Sequence, residues 1–168
     1  MTIMDPGNFG PKDFRNTLGH FCTGIAVITG MDNGVPFGFT CQSVVSLSLE
    51  PPLIGFSPAK TSETWPRLRD SKHFCVNILA DDQSDHCRLF SRKAEDRFTD
   101  VGFHTTAAGL PILDGALAYI ACDIETEHEI GDHYLVVGRV QELAVCRPEA
   151  SPLLFFKGTL STGTANVI

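Results

Sequence analysis

The sequence predicts a mainly β fold, a Greek-key sheet or barrel with a few short helices, and three observations support this. Several β-branched or alternating segments are separated by tight-turn residues, whereas only short stretches have helical spacing. No glycine-rich GxGxxG motif follows the first predicted strand, which argues against βαβ units and a Rossmann dinucleotide site. The length of 168 residues indicates a single domain over residues 1–168.

An irregular arm and one helix are predicted ahead of the first strand. Residues 1–11 contain two prolines and two glycines, so we expect no regular structure there. Asp13 can cap a helix that Gly24 ends. The single apolar stripe of this helix comprises Phe14, Leu18 and Phe21.

Four strands and a second helix are predicted in the next part of the chain. The strands are expected at residues 24–29, 35–48, 53–57 and 73–80. Asn33 and Gly34 tolerate positive φ and make the turn between the first two strands. Pro51 and Pro52 force another turn, and the second helix begins near Thr64.

A third helix and a long hairpin are predicted in the remainder. Asp81 or Asp82 caps the helix, and residues 92–110 form a partly ordered excursion whose charges, apart from Arg97, face solvent. Gly131 and Asp132 turn the hairpin. The three strands of this part are expected at residues 116–130, 133–145 and 152–158.

Charge and cysteine usage exclude several classes of protein. A net charge of −7 argues against a nucleic-acid partner or an anionic membrane surface. The sequence has neither an apolar run long enough for a membrane span nor a secretory leader. The six cysteines form no CxxC pair, so we expect reduced, mostly buried thiols and a cytoplasmic protein. His128, Asp132 and His133 are too loosely spaced for a metal site, and we expect no metal.

Hydroxyls and one cation are concentrated where the third strand meets the second helix. Ser57, Lys60, Thr61, Ser62 and Thr64 lie within eight residues. Such groups at a helix start can hold a phosphate, because they donate hydrogen bonds and supply charge. The alternative is plain capping of the helix by Ser62 or Thr64, with the other hydroxyls solvated.

A second polar group interrupts the apolar strand at 35–48. Thr40, Gln42 and Ser43 need partners if that strand faces a core. One interpretation is contact with the polar edge of a planar heterocycle. The other is hydroxyl pairing between neighbouring strands.

Seven segments together resemble the short-chain flavin reductases of two-component monooxygenase systems, which have a flavin reductase-like split-barrel domain. The segments follow the family order and cover nearly the whole chain. They are FRNTLGHFCTGIAVIT (14–29), GFTCQSVVSLSLEPPLIGFS (38–57), KTSETWPRLRDSKHFCVNIL (60–79), QSDHCRLFS (83–91) with EDRF (95–98), GLPILDGALAYIACDIE (109–125), GDHYLVVGRV (131–140) and PLLFFKG (152–158).

The resemblance implies a six-stranded FMN-binding split β-barrel of Greek-key type, usually a homodimer with flavin near the subunit interface. It implies an NAD(P)H-dependent flavin reductase that moves a hydride from NADH or NADPH to free FMN or FAD. The reduced flavin would then pass to a separate monooxygenase, with aromatic or sterol-type substrates among the candidates. A non-catalytic flavin-binding or storage protein on the same barrel is the alternative. The GDH turn at 131–133 favours the enzyme, because storage needs no nicotinamide position.

The resemblance also implies site residues. Those expected along the isoalloxazine edge are Phe39, Thr40, Cys41, Gln42 and Ser43. Those expected at the ribityl phosphate or pyrophosphate are Ser57, Pro58, Ala59, Lys60, Thr61, Ser62 and Thr64. Further flavin contacts are expected from Phe90, Ser91 and Arg97. His133 is expected beside the nicotinamide, where it orients that ring or balances charge; the alternative is a satisfied turn histidine. Two departures are Gln42, where many members have Asn, and the lack of a Tyr after the FKG-like element.

Overall fold

The computed structural model describes residues 7–93 and 97–163. Most of the predicted arm, residues 1–6, and part of the segment at 95–98 therefore lie outside the described residues. The described part has three helices, α1 Pro11–Leu18, α2 Trp65–Ser71 and α3 Ser84–Ser91. None of them is long and apolar enough to span a membrane.

Twelve strands form the described sheets, and the prediction of a mainly β fold is confirmed. The strands are β1 Thr23–Gly24, β2 Ala26–Asp32, β3 Val35–Cys41, β4 Val45–Leu49, β5 Pro52–Phe56, β6 His73–Ile78, β7 Phe103–Thr105, β8 Pro111–Leu113, β9 Ala118–Ile130, β10 His133–Val145, β11 Leu153–Phe156 and β12 Thr159–Thr162. Seven of them form one antiparallel sheet in the order β3-β2-β6-β9-β10-β5-β4. Two smaller sheets contain β1-β11-β12 and β7-β8.

The prediction of one strand over residues 35–48 is wrong, because the chain turns between Gln42 and Val44. β3 is one edge of the seven-stranded sheet and β4 is the other. The turn therefore crosses from one edge to the other, at the open seam of the sheet. Gln42 and Ser43, which were predicted to lie inside a strand, lie in this turn, and Thr40 lies next to it near the end of β3.

Three element boundaries also differ from the prediction. α1 begins at Pro11 with Gly10 as its N-cap and ends at Leu18, so neither Asp13 nor Gly24 bounds it; the Asp13 carboxylate accepts the Gly10 N–H at 3.0 Å. α3 has Gln83 at its N-cap, so neither Asp81 nor Asp82 caps it, and the Asp82 carboxylate accepts from Arg147 at 2.9 Å. β11 stops at Phe156, and the chain turns directly into β12.

The main core lies between the two halves of the curved sheet and beneath α2. Phe56 is its centre, with ring centroids 5.0 Å from Phe74 and 5.7 Å from Trp65. A second cluster on the other face of β2 joins α3 and β11, and includes Ile25, Val27 and Phe90. β2 is thus covered on both faces, which explains its run of buried apolar residues.

Candidate functional site

A large cavity of about 1160 Å³ lies where the N-terminal segment, the β3–β4 turn and the start of β10 come together. One wall is apolar and includes Phe9, Phe14, Leu18, Phe21 and Phe155. The opposite wall is the turn itself, with Gln42, Ser43, Val44 and Val45. Asp132 and His133 form a third side. An apolar cavity with a few placed polar groups suits a planar aromatic ligand.

The β3–β4 turn is held in place by hydrogen bonds to its polar side chains. The Ser57 backbone N–H donates to Ser43 Oγ at 2.8 Å, and Cys41 Sγ lies 3.3 Å from the same oxygen. Thr40 Oγ1 donates to the Cys87 carbonyl at 2.9 Å. These partners are mainly backbone groups of other segments, so hydroxyl pairing between neighbouring strands is not the arrangement found. Cys41 points inward, where burial raises the pKa of its thiol.

His133 sits at the rim of the large cavity because the segment after β5 pairs with the start of β10. The Tyr134 N–H donates to the Pro58 carbonyl at 2.9 Å, and the Lys60 N–H donates to the Asp132 carbonyl at 2.9 Å. Ala59 and His133 are partners in an isolated antiparallel bridge. The His133 Nδ1 atom lies 2.8 Å from Asp132 Oδ1.

A small cavity of about 250 Å³ lies between the end of β3, the segment before α2 and the end of α3. Hydroxyl and cationic side chains surround it, with two phenylalanines and one carboxylate. The lining residues are Phe39, Thr40, Thr61, Ser62, Glu63, Thr64, Phe90, Ser91, Arg92, Lys93 and Arg97. Lys93 pairs with Glu63, so the carboxylate is largely neutralised and the net character of the cavity is cationic.

Arg97 is the most buried cation of the small cavity. Its guanidinium donates to the Gly38 and Arg92 carbonyls and, at 3.3 Å, to Thr64 Oγ1. Desolvation lowers the pKa of Arg97, opposed by the nearby Glu63 carboxylate. Its Nε–H is buried and has no partner among residues 7–93 and 97–163.

Capping and ligand-facing roles are divided among the hydroxyls before α2. Ser62 Oγ accepts the Trp65 N–H at 3.2 Å, which is a capping contact. Thr64 occupies the N-cap position but makes no side-chain cap bond, and its hydroxyl accepts from Arg97. Because α2 has only seven residues, side chains rather than the helix dipole give the small cavity its donors.

Four residues expected at a phosphate lie outside both cavities, and they are Ser57, Pro58, Ala59 and Lys60. The Lys60 ammonium donates to Glu129 Oε2 at 2.8 Å and lies over the Tyr134 ring. That partner is 69 positions away in the chain, so no local pattern could have indicated it. Cys41 also lines neither cavity. Of the other predicted site residues, Gln42, Ser43 and His133 line the large cavity. The remaining eight line the small cavity, and they are Phe39, Thr40, Thr61, Ser62, Thr64, Phe90, Ser91 and Arg97.

Sequence reasoning missed several lining residues. Arg92 and Lys93 belong to a charged stretch that was expected to face solvent, but they line the small cavity. Their closeness in sequence to Arg97, a predicted flavin contact, could have indicated this. Phe9, Phe14 and Leu18 were assigned to an arm and a helix stripe, yet they border the large cavity. Within the described part of the chain, no three His, Cys, Asp or Glu side chains are grouped to hold a metal ion.

Comparison with known proteins identifies the family. Residues 18–164 match the family model described as flavin reductase like domain. The reductase subunit HsaB of a flavin-dependent monooxygenase from Rhodococcus jostii is 47% identical over 148 residues, covering 88% of this chain and 75% of that protein. The FMN reductase (NADH) SmoA of Agrobacterium fabrum is 36% identical over 156 residues, covering 93% of this chain and 88% of that protein.

The fold agrees with this assignment. The Streptomyces globisporus NADH:FAD oxidoreductase SgcE6, solved in complex with NAD and FAD fragments, superimposes with a TM-score of 0.91 at 28% identity, over the full length of both chains. The family match extends over residues 18–164, which contain all the strands of the seven-stranded sheet, including its two edges β3 and β4. The chain belongs to the flavin reductase-like domain family and has its split-barrel fold.

Proposed function

We propose that this protein is an NAD(P)H-dependent flavin reductase that reduces free FMN or FAD and supplies the reduced flavin to a separate monooxygenase. The observation that carries the proposal is a pair of cavities lined by residues that lie close together in the chain, near the end of β3. Thr40 borders the small cationic cavity, and Gln42, two residues later, borders the large apolar one. A ligand with an aromatic ring system and an anionic tail could occupy both. The HsaB and SmoA relatives, by their names, support the same activity.

The residues present fit a flavin. Gln42 and Ser43 would hold the polar edge of the ring system, because an amide and a hydroxyl can both donate and accept hydrogen bonds. The groups that would hold the phosphate are Thr61, Ser62, Thr64, Ser91 and Arg97. The Arg97 guanidinium also donates to Thr64, another residue that lines the small cavity, which suits an anion there. His133 would lie beside the nicotinamide.

The residues of the chain act by binding, orienting and excluding water. When bound, the flavin supplies the ring that accepts a hydride from the nicotinamide. The large cavity, about 1160 Å³, has the volume for two flat rings, and its phenylalanines would exclude water from the gap between the rings once both are bound. Neither wall offers a side chain that must gain or lose a proton for this transfer, so we assign His133 to orientation of the nicotinamide.

Assembly and location form a second part of the proposal, in which one domain over residues 1–168 forms a cytoplasmic homodimer. Phe9, Phe14, Leu18 and Phe21 are all more than half exposed on one side of the large cavity. A cluster of exposed aromatic and aliphatic side chains is typical of an interface. The six free thiols suit a reducing compartment.

The test is the initial rate of NADH or NADPH oxidation at 340 nm, with FMN or FAD added. We expect a clear rate above background for at least one of the four combinations. Absence of any rate in all four would contradict the enzyme activity. Flavin binding without oxidation of either nicotinamide would instead support a storage protein.

A further inference from the structure

Three histidines in the described part of the chain have Nδ1 next to an aspartate. The Nδ1–Oδ1 distances are 2.8 Å for His133 and Asp132, 2.6 Å for His73 and Asp123, and 3.1 Å for His104 and Asp114. The His133 pair lines the large cavity, and the other two pairs line neither of the two cavities described above. The chain therefore contains its own controls for what such a pair does.

The Asp132 carboxylate has His133 as its side-chain partner. Its own backbone carbonyl is occupied by the Lys60 N–H, while the Lys60 ammonium is held by Glu129 at 2.8 Å. The hydrogen bond from His133 lowers the pKa of Asp132, so the carboxyl is ionised at neutral pH. The backbone bridge between Ala59 and His133 and the Tyr134 N–H bond to Pro58 fix the main chain on which both side chains stand.

The tautomer of His133 follows from this contact. An ionised carboxylate can only accept, so the Nδ1 atom that faces it must carry the proton. A neutral imidazole has a single N–H, which leaves Nε2 with a lone pair. On a ring at the cavity rim, that lone pair is available as an acceptor to a ligand in the cavity.

We propose that Asp132 is a positioning residue: it keeps the proton of His133 on Nδ1, so that Nε2 accepts a hydrogen bond from the carboxamide N–H of the nicotinamide. The inference rests on the proposed function, since it requires a nicotinamide in the large cavity. It assigns to Asp132 a task that the resemblance gave only to the GDH turn as a whole. It also makes His133 an acceptor rather than an acid.

The tautomer is tested in the free protein, independently of activity. Histidine labelled with ¹⁵N distinguishes Nδ1-protonated from Nε2-protonated rings, and His133→Ala identifies the His133 signal by its loss. We expect His133 to be Nδ1-protonated in the neutral form, and Asp132→Ala to shift it towards the other tautomer. Asp114→Ala, the matched control, should change only His104. A His133 signal that is the same in the wild type and in Asp132→Ala would overturn the proposal.

The kinetic test separates two roles of the Asp132 side chain, accepting a hydrogen bond from His133 and carrying a negative charge. Asp132→Ala should raise the KM for NADH about two- to fivefold, the range for one exposed charged contact, and leave the flavin KM unchanged. Asp132→Asn should keep most of the wild-type KM, because its carbonyl still accepts from Nδ1. Equal increases in the KM for NADH in Asp132→Asn and Asp132→Ala would indicate a charge effect and contradict control of the tautomer by Asp132.

A nicotinamide analogue tests the same hydrogen bond from the other partner. Reduced 3-acetylpyridine adenine dinucleotide keeps the carbonyl of the carboxamide but lacks its N–H donors. The wild type should bind it more weakly than NADH, and Asp132→Ala should narrow that difference. A difference that is unchanged by Asp132→Ala in an active enzyme would refute the inference. A wild type inactive with every flavin and nicotinamide would refute the proposed function and the nicotinamide contact that depends on it, whereas the tautomer measurement tests the effect of Asp132 on His133 separately.

Discussion

The side chain that supplies positive charge to the small cavity differs from the one the local sequence suggests. Lys60 lies among the hydroxyls before α2, but its ammonium pairs with Glu129 on the outside of the sheet. Arg97 comes from a distant segment and inserts its guanidinium between Gly38 and Thr64. A partly buried guanidinium interacts more strongly with an anion than an exposed ammonium does, because the surrounding medium screens less.

The first residue-scale prediction separates these two cations. Arg97→Met should weaken FMN binding by about ten- to a hundredfold, since a hydrogen bond to a charged group contributes about 1.5–3 kcal/mol. Lys60→Met should leave FMN binding nearly unchanged. The measurement is Kd by flavin fluorescence titration, with riboflavin as the ligand that lacks the phosphate.

Riboflavin also controls for damage to the fold. The Kd for riboflavin should change little in both variants, because riboflavin has no phosphate for either side chain to contact. Weaker binding of riboflavin and FMN alike in Arg97→Met would show that Arg97 supports the barrel and not the anion.

The segment after β5 connects the two cavities at the scale of elements. Its first part bonds to the β3–β4 turn through Ser57 and to the start of β10 through Pro58 and Lys60. Its second part, Thr61 to Thr64, lines the small cavity. The segment therefore carries ligand-facing groups of the small cavity and bonds to the turn and the strand that line the large one, which suits a site that must keep two ligands in register.

A buried polar cluster attaches the β7–β8 hairpin to the main sheet. Asn77 Nδ2 donates to Thr29 Oγ1 at 3.0 Å, and Asn77 Oδ1 accepts the Leu113 N–H at 2.8 Å. The Thr29 hydroxyl donates to the Pro111 carbonyl at 2.6 Å. Both side chains are fully buried, so the loss of one partner leaves others unsatisfied.

The element-scale prediction follows from this cluster. Asn77→Ala should lower the free energy of unfolding by about 3 kcal/mol, through one lost amide and the groups it leaves unpaired. For a chain of this size, that corresponds to a Tm lower by about 6–12 °C. Calorimetry provides the measurement, and Asn16→Ala on the exposed face of α1 is the control. Equal Tm values for the two variants would contradict the role of Asn77 in attaching the β7–β8 hairpin to the main sheet.

Exposed apolar side chains are found on α1 and on the edge strand β4. Phe14 and Leu18 are 58% and 56% exposed, although they form the apolar stripe of α1. β4, an edge strand, leaves Leu49 89% exposed. Stripes of this kind are normally covered, and a second copy of the chain would also close the open side of the large cavity.

The whole-molecule prediction concerns assembly. Wild-type protein should elute with a molar mass twice that of the 18.3 kDa chain in size-exclusion chromatography with light scattering. The double variant Phe14→Asp, Leu18→Asp should elute as a monomer, because two charges cannot be buried in an apolar interface. Val35→Asp, in the exposed β2–β3 hairpin, should remain a dimer. A dimer that survives the double substitution would place the interface elsewhere.

Much of the fold and part of the site could be predicted from the sequence. The hairpin of β9 and β10, the Asn33-Gly34 turn and the buried strands β2 and β6 depend on neighbours within a few residues, and their presence was predicted correctly. The hydroxyls at Thr61, Ser62 and Thr64 and the ring of His133 were also recognised, because their motifs are contiguous. Those residues do line the cavities.

Tertiary structure alone decided what depends on distant partners. The break after Cys41 follows from the seam between β3 and β4, the Lys60 partner is Glu129, and the phenylalanines of the N-terminal segment border a cavity. The sequence by itself determined the local conformations and the inventory of polar groups. Which of those groups face a ligand, which cap a helix and which form an ion pair depends on the closing of the sheet, because only that packing brings segments far apart in the chain into contact.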